Sequence, residues 1–531
     1  MGVVCSSNSS KAVVKNSAYN NGNLSPTQAF HLESKREYQR RYSDKSAKLD
    51  FAVAVPSEHW EPTYSTEDIN LYYQFESLMG QGYTSKVKRA SLKSCPSLEF
   101  AVKTISKALP DDKEGKYYKA EMNILKFLDH PNIVRFFESY QDKHNYHLVV
   151  ELCTGRDLVS FVEKRKGLSE ELAKGLFYQA CYAVNYLQHL GVCHRDIKLD
   201  NFLLVSHEEK HPRLKLIDFG FAQYYKDRKL TTLVGTPWYV APEILDKSKP
   251  YTFKCDNWSL GVMLYMMLFA RPPFKGRNHT ELYAQISNKD IDYSDPQFSK
   301  LSSELVKILK GLLCKDPSKR LTLPQVLQSH WFDSSILQLH QTWDQEQMLS
   351  VIQKLREKKR LSKFENHIRQ LVVKYFSDSE EVAEAARLFS CCDSLSNGIL
   401  TKTEIVSLFE KAKLPTSTEE VREIIERMSL DRRQLITFSE FLITVIDQSF
   451  FNDPLKAKTV FDKFDLDNSG FITPKKIRKT FEKLGYSITE EASKSLLQDL
   501  DTEKTGTISY QTFCSKLGVD LEANQAEPIQ E

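Results

Sequence analysis

Three features of this 531-residue chain join reactive residue types to neighbours that could position them. Gly80-Gln81-Gly82-Tyr83-Thr84-Ser85-Lys86-Val87 sets small residues where backbone N–H groups can approach a ligand closely, although alone it would read as a hairpin turn. Lys103 ends the apolar run Phe100-Ala101-Val102-Lys103, and a cation there is costly to bury without an anion beside it. After it, Glu121 is followed by Ile124, Leu125 and Leu128 at helical spacing, which places its carboxylate on an inward helix and weighs against the blander alternative of a surface salt bridge. Asp218 follows the apolar strand 214–217, setting a hard oxygen ligand at a strand end.

Elements must hold these residues in place. From about Leu71 onward strand and helix patterns alternate, whereas residues 1–65 are rich in Ser, Asn and Lys without periodicity and read as a tail. Near the other end Leu400, Ile436, Ile472 and Ile508 recur at intervals of 36 residues, a fourfold internal repeat. The segments before them carry apolar faces such as Val421, Ile424, Ile425, Met428 and Ala457, Val460, Phe461, Phe464, so paired helix-loop-helix units are predicted. Between the large middle region and the repeats, residues 333–380 form an amphipathic stretch with Leu361, Phe364, Ile368, Leu371 and Val372 on one face. It also carries the basic run Lys358, Lys359, Arg360.

Composition excludes several classes. Apolar residues at 41% and charged residues at 27%, with 30 Phe and 24 Tyr, describe a globular chain that can build a packed core. The balance of 73 basic against 70 acidic residues, +3, is too small to make nucleic acid the expected partner. Ten cysteines without a CxxC pair, and no apolar signal core at the N-terminus, predict a reducing, intracellular setting. The longest apolar run, Leu260 to Ala270, is about half of the roughly 20 residues a membrane-crossing helix needs, so it reads as a buried core helix.

Further motifs complete an ordered set. His194-Arg195-Asp196-Ile197-Lys198-Leu199-Asp200-Asn201, Asp218-Phe219-Gly220, Gly235-Thr236-Pro237-Trp238-Tyr239-Val240-Ala241-Pro242-Glu243 and Asp256-Asn257-Trp258-Ser259-Leu260-Gly261 follow the glycine loop and Lys103 in the order found in protein kinases, which the region 66–332 resembles. The resemblance implies an α+β bilobal fold, the small lobe running to about residue 150 and the hinge lying near Glu151 to Thr154. It implies ATP and Mg²⁺ as cofactors and protein substrates with Ser or Thr acceptors. Asp196 would accept the acceptor hydroxyl's proton, Lys198 would steady the transferring phosphoryl group, and Lys103 would meet the α/β-phosphates while paired with Glu121. Asn201 and Asp218 would hold Mg²⁺, and Leu78, Gly80, Gly82, Val87, Ala101, Lys103, Glu151 and Cys153 would line the nucleotide. Ser85 stands at the third glycine, which implies a stiffer loop. Glu243 would pair with Arg320, and Asp256 would support the catalytic loop. A kinase fold serving only as a binding scaffold is the competing class, and the joint presence of Lys103, Glu121, Asp196, Lys198, Asn201 and Asp218 argues against it.

A kinase-like region, a basic amphipathic junction and four helix-loop-helix units resemble the calcium-dependent protein kinases over about residues 65–518. The implied division is tail 1–65, kinase domain 66–332, autoinhibitory-like junction 333–380, first EF-hand-like pair 381–446, second pair 447–518 and tail 519–531. Intramolecular contacts of the junction and the all-α C-terminal domain with the kinase domain are expected, with Lys358 to Arg360 docking electrostatically at the active site.

Calcium ligands in such loops fall at the first, third, fifth, seventh, ninth and twelfth positions, the last a bidentate carboxylate. No loop here is complete. The first has Asp393, Asn397, Gly398 and Glu404 but Leu395 at the third position; the second begins at Ser429 and has Arg433 and Gln434 in place of a ligand and a glycine. The third has Asp465, Asp467, Ser469, Gly470 and the Phe471 carbonyl but ends in Lys476. The fourth has Asp501, Glu503, Thr505 and Gly506 but ends in Thr512. Calcium is therefore expected to bind weakly, chiefly at the third loop and next at the first, at about 10⁻⁴ to 10⁻³ M. The alternative is a calcium-insensitive kinase whose EF-hand-like domain is a structural or partner-binding module.

The N-terminus Met1-Gly2-Val3-Val4-Cys5-Ser6 fits the pattern for myristoylation of Gly2, with Cys5 adjacent for palmitate. One myristoyl chain binds membranes only marginally, so the second acyl chain and the basic Lys35, Arg36, Arg40 and Arg41 would matter for residence at the cytoplasmic face. Thr232, four residues before Thr236, is a candidate regulatory phosphosite, with Arg195 as its partner. Asp157 and Asp200 are candidates for recognising basic residues ahead of the acceptor.

Overall fold

The computed structural model describes residues 64–82, 85–108, 116–208, 210, 212–225, 229–246, 248–332, 344–429, 434–501 and 504–521. The acylation motif at Gly2 and Cys5 and the basic tail residues lie outside them. In the small lobe, β1 (Tyr73–Gln81), β2 (Ser85–Leu92), β3 (Cys95–Ser106), β4 (Phe136–Gln141) and β5 (Asn145–Glu151) form an antiparallel sheet in the order β1-β2-β3-β5-β4. Lys103 lies opposite Val87 on one side and Leu148 on the other. Strand alternation gives this sheet two apolar faces. One, with Ile105 and Leu148, packs on α1 (Lys116–Leu125) through Tyr118 and Met122. The other, with Phe100, Val102, Phe137 and Val149, needs a second cover, and the C-terminal part of the chain supplies it.

The large lobe is mainly helical: α2 (Leu158–Arg165), α3 (Glu170–His189), the short pair β6 (Phe202–Leu204) and β7 (Leu214–Leu216), then α4 (Lys254–Phe269), α5 (His279–Asn288) and α6 (Ser303–Leu312). The apolar run of the sequence is α4, buried nearly all round as expected of a core helix. No helix among the described residues is long and apolar enough to cross a membrane.

The junction is two helices, α7 (Gln345–Glu357) and α8 (Lys363–Tyr375), where the apolar periodicity suggested one long stretch. Ser362 ends the continuity: its hydroxyl accepts the Glu365 N–H at 3.1 Å and starts a new helix. Four helix-loop-helix units follow as α9 (Glu380–Cys392), α10 (Lys402–Lys411), α11 (Thr418–Met428), α12 (Phe438–Val445), α13 (Pro454–Phe464), α14 (Pro474–Lys483), α15 (Glu490–Gln498) and α16 (Tyr510–Leu517). The four residues spaced by 36 close these units pairwise: Leu400 pairs with Ile436 and Ile472 with Ile508, all fully buried. The sixth loop position is left-handed even where glycine is missing, since Gln434 holds φ 58°, at a cost of about 1 kcal/mol.

The basic run does not reach the active site. Lys358 donates to the Ile443 carbonyl at 2.9 Å, and its neighbours Lys354 and Arg356 meet Val445 O at 2.6 Å and Glu420 at 2.7 Å, all in the first pair. Lys359 and Arg360 are exposed. The carbonyls at the end of α12 and an acid on α11 satisfy these cations locally.

The covering of the small lobe centres on Glu138 of β4, a fully buried carboxylate. It accepts the hydroxyls of Tyr73 at 2.8 Å, Tyr140 at 2.7 Å and Tyr375 of α8 at 2.8 Å, and pairs with Lys463 of α13 at 2.8 Å. At the end of α1, Lys126 donates to Gly485 O at 3.0 Å and its carbonyl accepts the Tyr486 hydroxyl at 3.1 Å. Asp129 accepts both the N–H and the hydroxyl of Ser439 at 2.8 Å.

Candidate active site

Arg195 (φ 66°) and Asp218 (φ 63°) hold left-handed backbone that most residues avoid, and the fold braces the first of these turns. Asp256, fully buried in the first turn of α4, accepts the N–H groups of His194 and Arg195 at 2.8 Å each. Gly235 approaches so closely that a Cβ there would lie 2.6 Å from the Arg195 carbonyl oxygen. The loop is thus fixed from below and from the side.

That bracing delivers Asp196, buried, into a cage of donors. Its Oδ1 accepts the Thr236 hydroxyl at 2.8 Å and N–H at 3.1 Å; its Oδ2 meets Lys198 Nζ at 2.7 Å and Asn201 Nδ2 at 3.1 Å. Lys198 also donates to Thr236 Oγ1 at 2.9 Å. Asn201 spends its amide nitrogen on Asp196, including the backbone carbonyl at 2.7 Å, so the ligand it has for a cation is its amide oxygen.

Above this loop, Lys103 Nζ donates to the two Glu121 oxygens at 2.7 and 2.9 Å and to Asp218 Oδ1 at 3.0 Å. Burial disfavours the ammonium, but the two carboxylates outweigh it and hold the Lys103 pKa above the usual lysine range. Burial would raise Asp218, and Lys103 instead pulls it below the usual carboxylate range, so it stands as an anion. Glu121 lies on α1 with the buried Ile124 and Leu125, whereas Leu128, read with them from the sequence, falls past the helix's last residue.

Of the other nucleotide candidates, Ala101 is buried, Val87 half-buried and Leu78 exposed on the sheet beside the glycine loop. A Cβ on Gly80 would meet nothing within 4 Å, and one on Gly82 would find Ser85 Oγ at an ordinary 3.5 Å. Neither glycine is required by the protein's own packing. The Glu151 carboxylate is committed to Lys215 at 2.8 Å, and burial pushes the Cys153 thiol up to about 12. Both therefore have chiefly main chain to offer a ligand.

Thr232 is exposed, its carbonyl accepting the Tyr251 hydroxyl at 2.7 Å, while the Arg195 guanidinium donates to Phe221 O at 2.7 Å. Asp157 caps α2, its carboxylate accepting the Ser160 N–H at 2.7 Å and hydroxyl at 2.8 Å, so it is less available to a substrate than its sequence position suggested. Asp200 is exposed. Glu243 and Arg320 form a two-pronged pair at 2.5 and 2.8 Å. Among the described residues, Cys193, Cys255 and Asp256 cluster at metal-ligand spacing, but both Asp256 oxygens are taken by the N–H groups of His194 and Arg195.

The calcium candidates differ from the ligand count. In the third loop, the Lys476 ammonium lies among the ligands themselves, bonded to Asp465, Asp467, Ser469 and the Phe471 carbonyl. A divalent cation does not fit while it is there, which removes the reason for ranking that loop first. In the first loop Asp393 accepts the Tyr182 hydroxyl of α3 at 2.7 Å, and Glu404 accepts the N–H groups of Leu395 at 3.1 Å and Thr401 at 2.9 Å. Asn185 donates to Ser396 O at 2.6 Å, so this loop is docked on the large lobe. Arg433 and Glu503 lie outside the described residues.

Sequence reasoning missed Thr236 as part of the centre and missed the whole Glu138 cluster. A threonine after glycine carries no mark of its partner 40 residues away, and nothing local announces that Lys463 will meet a carboxylate 325 residues earlier.

Known proteins match this arrangement. The Protein kinase domain family matches residues 73–332, and the EF-hand domain pair family matches residues 455–517. The chain is 28% identical over 479 residues to Calcium-dependent protein kinase 5 of Plasmodium falciparum, covering 89% of this chain and 81% of the relative. It is 29% identical to Calcium-dependent protein kinase 34 of Arabidopsis thaliana, covering 85% of each chain. It is 30% identical over 457 residues to Calcium-dependent protein kinase 15 of Oryza sativa subsp. japonica, covering 85% of this chain and 82% of the relative.

Proposed function

Because the chain belongs to the calcium-dependent protein kinase family and is a protein serine/threonine kinase, we propose that its phosphotransfer runs through Asp196, Lys198, Lys103 and Glu121, with Thr236 as an orienting residue. The observation carrying this reading is the Asp196 cage: one oxygen is held by Thr236 and the other by Lys198 and Asn201. A carboxylate so fixed can take the proton of a substrate serine or threonine hydroxyl as that oxygen attacks phosphorus. Lys198 lies beside it to offset charge on the transferring group. Lys103, kept charged by Glu121, would bind the α/β-phosphates of ATP.

Asp218 and the amide oxygen of Asn201 form a hard-oxygen donor set that would hold Mg²⁺, whose charge offsets that of the phosphates. Gly80 and Gly82, unexplained by internal packing, suit close approach of backbone N–H groups to phosphate, and the main chain at Glu151 and Cys153 would meet the base. Replacing Asp196 by Asn tests this assignment: transfer to a basic test peptide should fall at least about a hundredfold. Wild-type transfer would sink it.

The docked EF-hand-like domain completes the small lobe by covering its second sheet face, and we take this as its main role. The specific observation that favours the calcium-insensitive form of the reading is Lys476 in the third loop. Calcium at the first loop would be held by Asp393, Asn397 and Glu404, and with both carboxylates already engaged its affinity should be near 10⁻⁴ to 10⁻³ M. The sequence motif at Gly2 and Cys5 supports tethering to the cytoplasmic face of a membrane through acyl chains. An unchanged membrane fraction after Gly2→Ala would refute that mechanism. Thr232, exposed ahead of the catalytic centre, is proposed as a phosphosite, and equal activity with and without its phosphate would exclude a regulatory role.

A further inference from the structure

An EF-hand-type loop gathers oxygens around a cation through its first, third, fifth and seventh positions. In the third loop these are Asp465, Asp467, Ser469 and the Phe471 carbonyl, and all four converge on Lys476 Nζ. The distances are 2.6 Å to Asp465 Oδ1, 2.7 Å to Ser469 Oγ and 2.8 Å to Phe471 O, with Asp467 Oδ1 also in contact. An ammonium has three protons, so four acceptors are satisfied only by sharing them, with two carboxylates adding direct charge attraction. The fourth loop shows the contrast: Asp501 accepts the N–H groups of Thr505 and Gly506 and the Thr505 hydroxyl, and among the described residues no ammonium meets it.

The position of Lys476 links this site to the kinase. It lies in the first turn of α14, where the Thr473 hydroxyl accepts its N–H at 3.3 Å. Further along the same helix Lys479 and Lys483 meet Glu67, beside the small-lobe sheet, at 3.1 and 2.8 Å. Just past its end, Gly485 and Tyr486 hold Lys126, which follows the helix carrying Glu121. One ten-residue helix therefore joins the cation position to the small lobe.

We propose that Lys476 is the resident cation of the third loop: an ammonium supplied by the chain stands where a divalent cation would, and holds the second pair in its docked arrangement without calcium. The substitution stands on geometry alone; its effect on activity rests on the reading that docking supports the small lobe.

The test uses the full chain, calcium chloride and four variants. Calorimetric titration of Lys476→Glu, which returns a carboxylate to the twelfth position, should reveal one calcium site absent from the wild type and at least about tenfold tighter than any the wild type shows. Its phosphotransfer in chelator should drop about fivefold or more and return with calcium. Lys476→Met, which removes only the charge, should speed amide exchange across residues 465–476 by about tenfold or more, and guards against misfolding of the first variant. The proposal is overturned if the wild type binds calcium at a site abolished by Asp465→Asn, if Lys476→Glu gains none, or if Lys476→Met exchanges as the wild type does. A new calcium site with undiminished activity in chelator would overturn the docking half, while Asp196→Asn separately reads whether the phosphotransfer assignment stands.

Discussion

At the scale of single residues, Thr236 does the least conspicuous work in the centre. Its hydroxyl accepts from Lys198 at 2.9 Å and donates to Asp196 at 2.8 Å, so it fixes both groups relative to each other. Thr236→Ala should lower kcat by about tenfold to a hundredfold while leaving ATP binding near wild type, because the carboxylate loses orientation and not charge. Steady-state kinetics with nucleotide binding measured separately would check this; an equal loss in both would make Thr236 a general structural support. Lys103 and Glu121 were legible in the sequence, since an apolar strand and a helical period each leave a local imprint. Thr236 was not, because its role exists only once the segment after Gly235 folds back on the catalytic loop. Lys476 was half legible: its charge was plain, and its direction, into the loop, was decided by the length and flexibility of the side chain.

At the scale of elements, the union of α13, α8 and β4 rests on a buried charge. Removing one partner of such a pair leaves the other uncompensated, so Lys463→Met should cost about 3 to 5 kcal/mol. Thermal unfolding should read the loss, and exchange should rise first in α8 and α13. Burial alone would raise the Glu138 pKa, but Lys463, Lys483 and the Tyr140 hydroxyl outweigh it and hold it at about 2. A depressed carboxylate stabilises the fold fully above its unfolded value near 4.5 and progressively less as pH falls toward 2. The melting temperature should therefore decline from about pH 5 downward, and Glu138→Gln should flatten that decline. A variant with the wild-type acid profile would remove Glu138 from the account. The repeat elements themselves were readable, because residues spaced by 36 are the ones that pair across each loop couple. The junction was misjudged: a basic run shows charge but not address, and Lys358 took a carbonyl of α12 in preference to the cleft.

At the scale of the whole molecule, the small-lobe sheet explains why kinase and C-terminal domains form one compact unit. Phe100, Val102, Phe137 and Val149 share a single apolar cluster with Phe364, Ile368 and Val372 of the junction and with the EF-hand-like core. Fully burying each such side chain is worth about 1.5 to 3 kcal/mol, so the sheet is strongly biased toward its cover. The two-lobed fold and its order of motifs could be read from sequence, while which surface the calcium-loop domain covers could not, since the strands show two apolar faces without naming the partner. The central claim is that this kinase carries its own cation and keeps the docked form without calcium. The most direct test is phosphotransfer by the full chain to a basic peptide, measured in chelator and again at a few micromolar free calcium. The account predicts rates equal to within about twofold, and activation of about tenfold or more would contradict it.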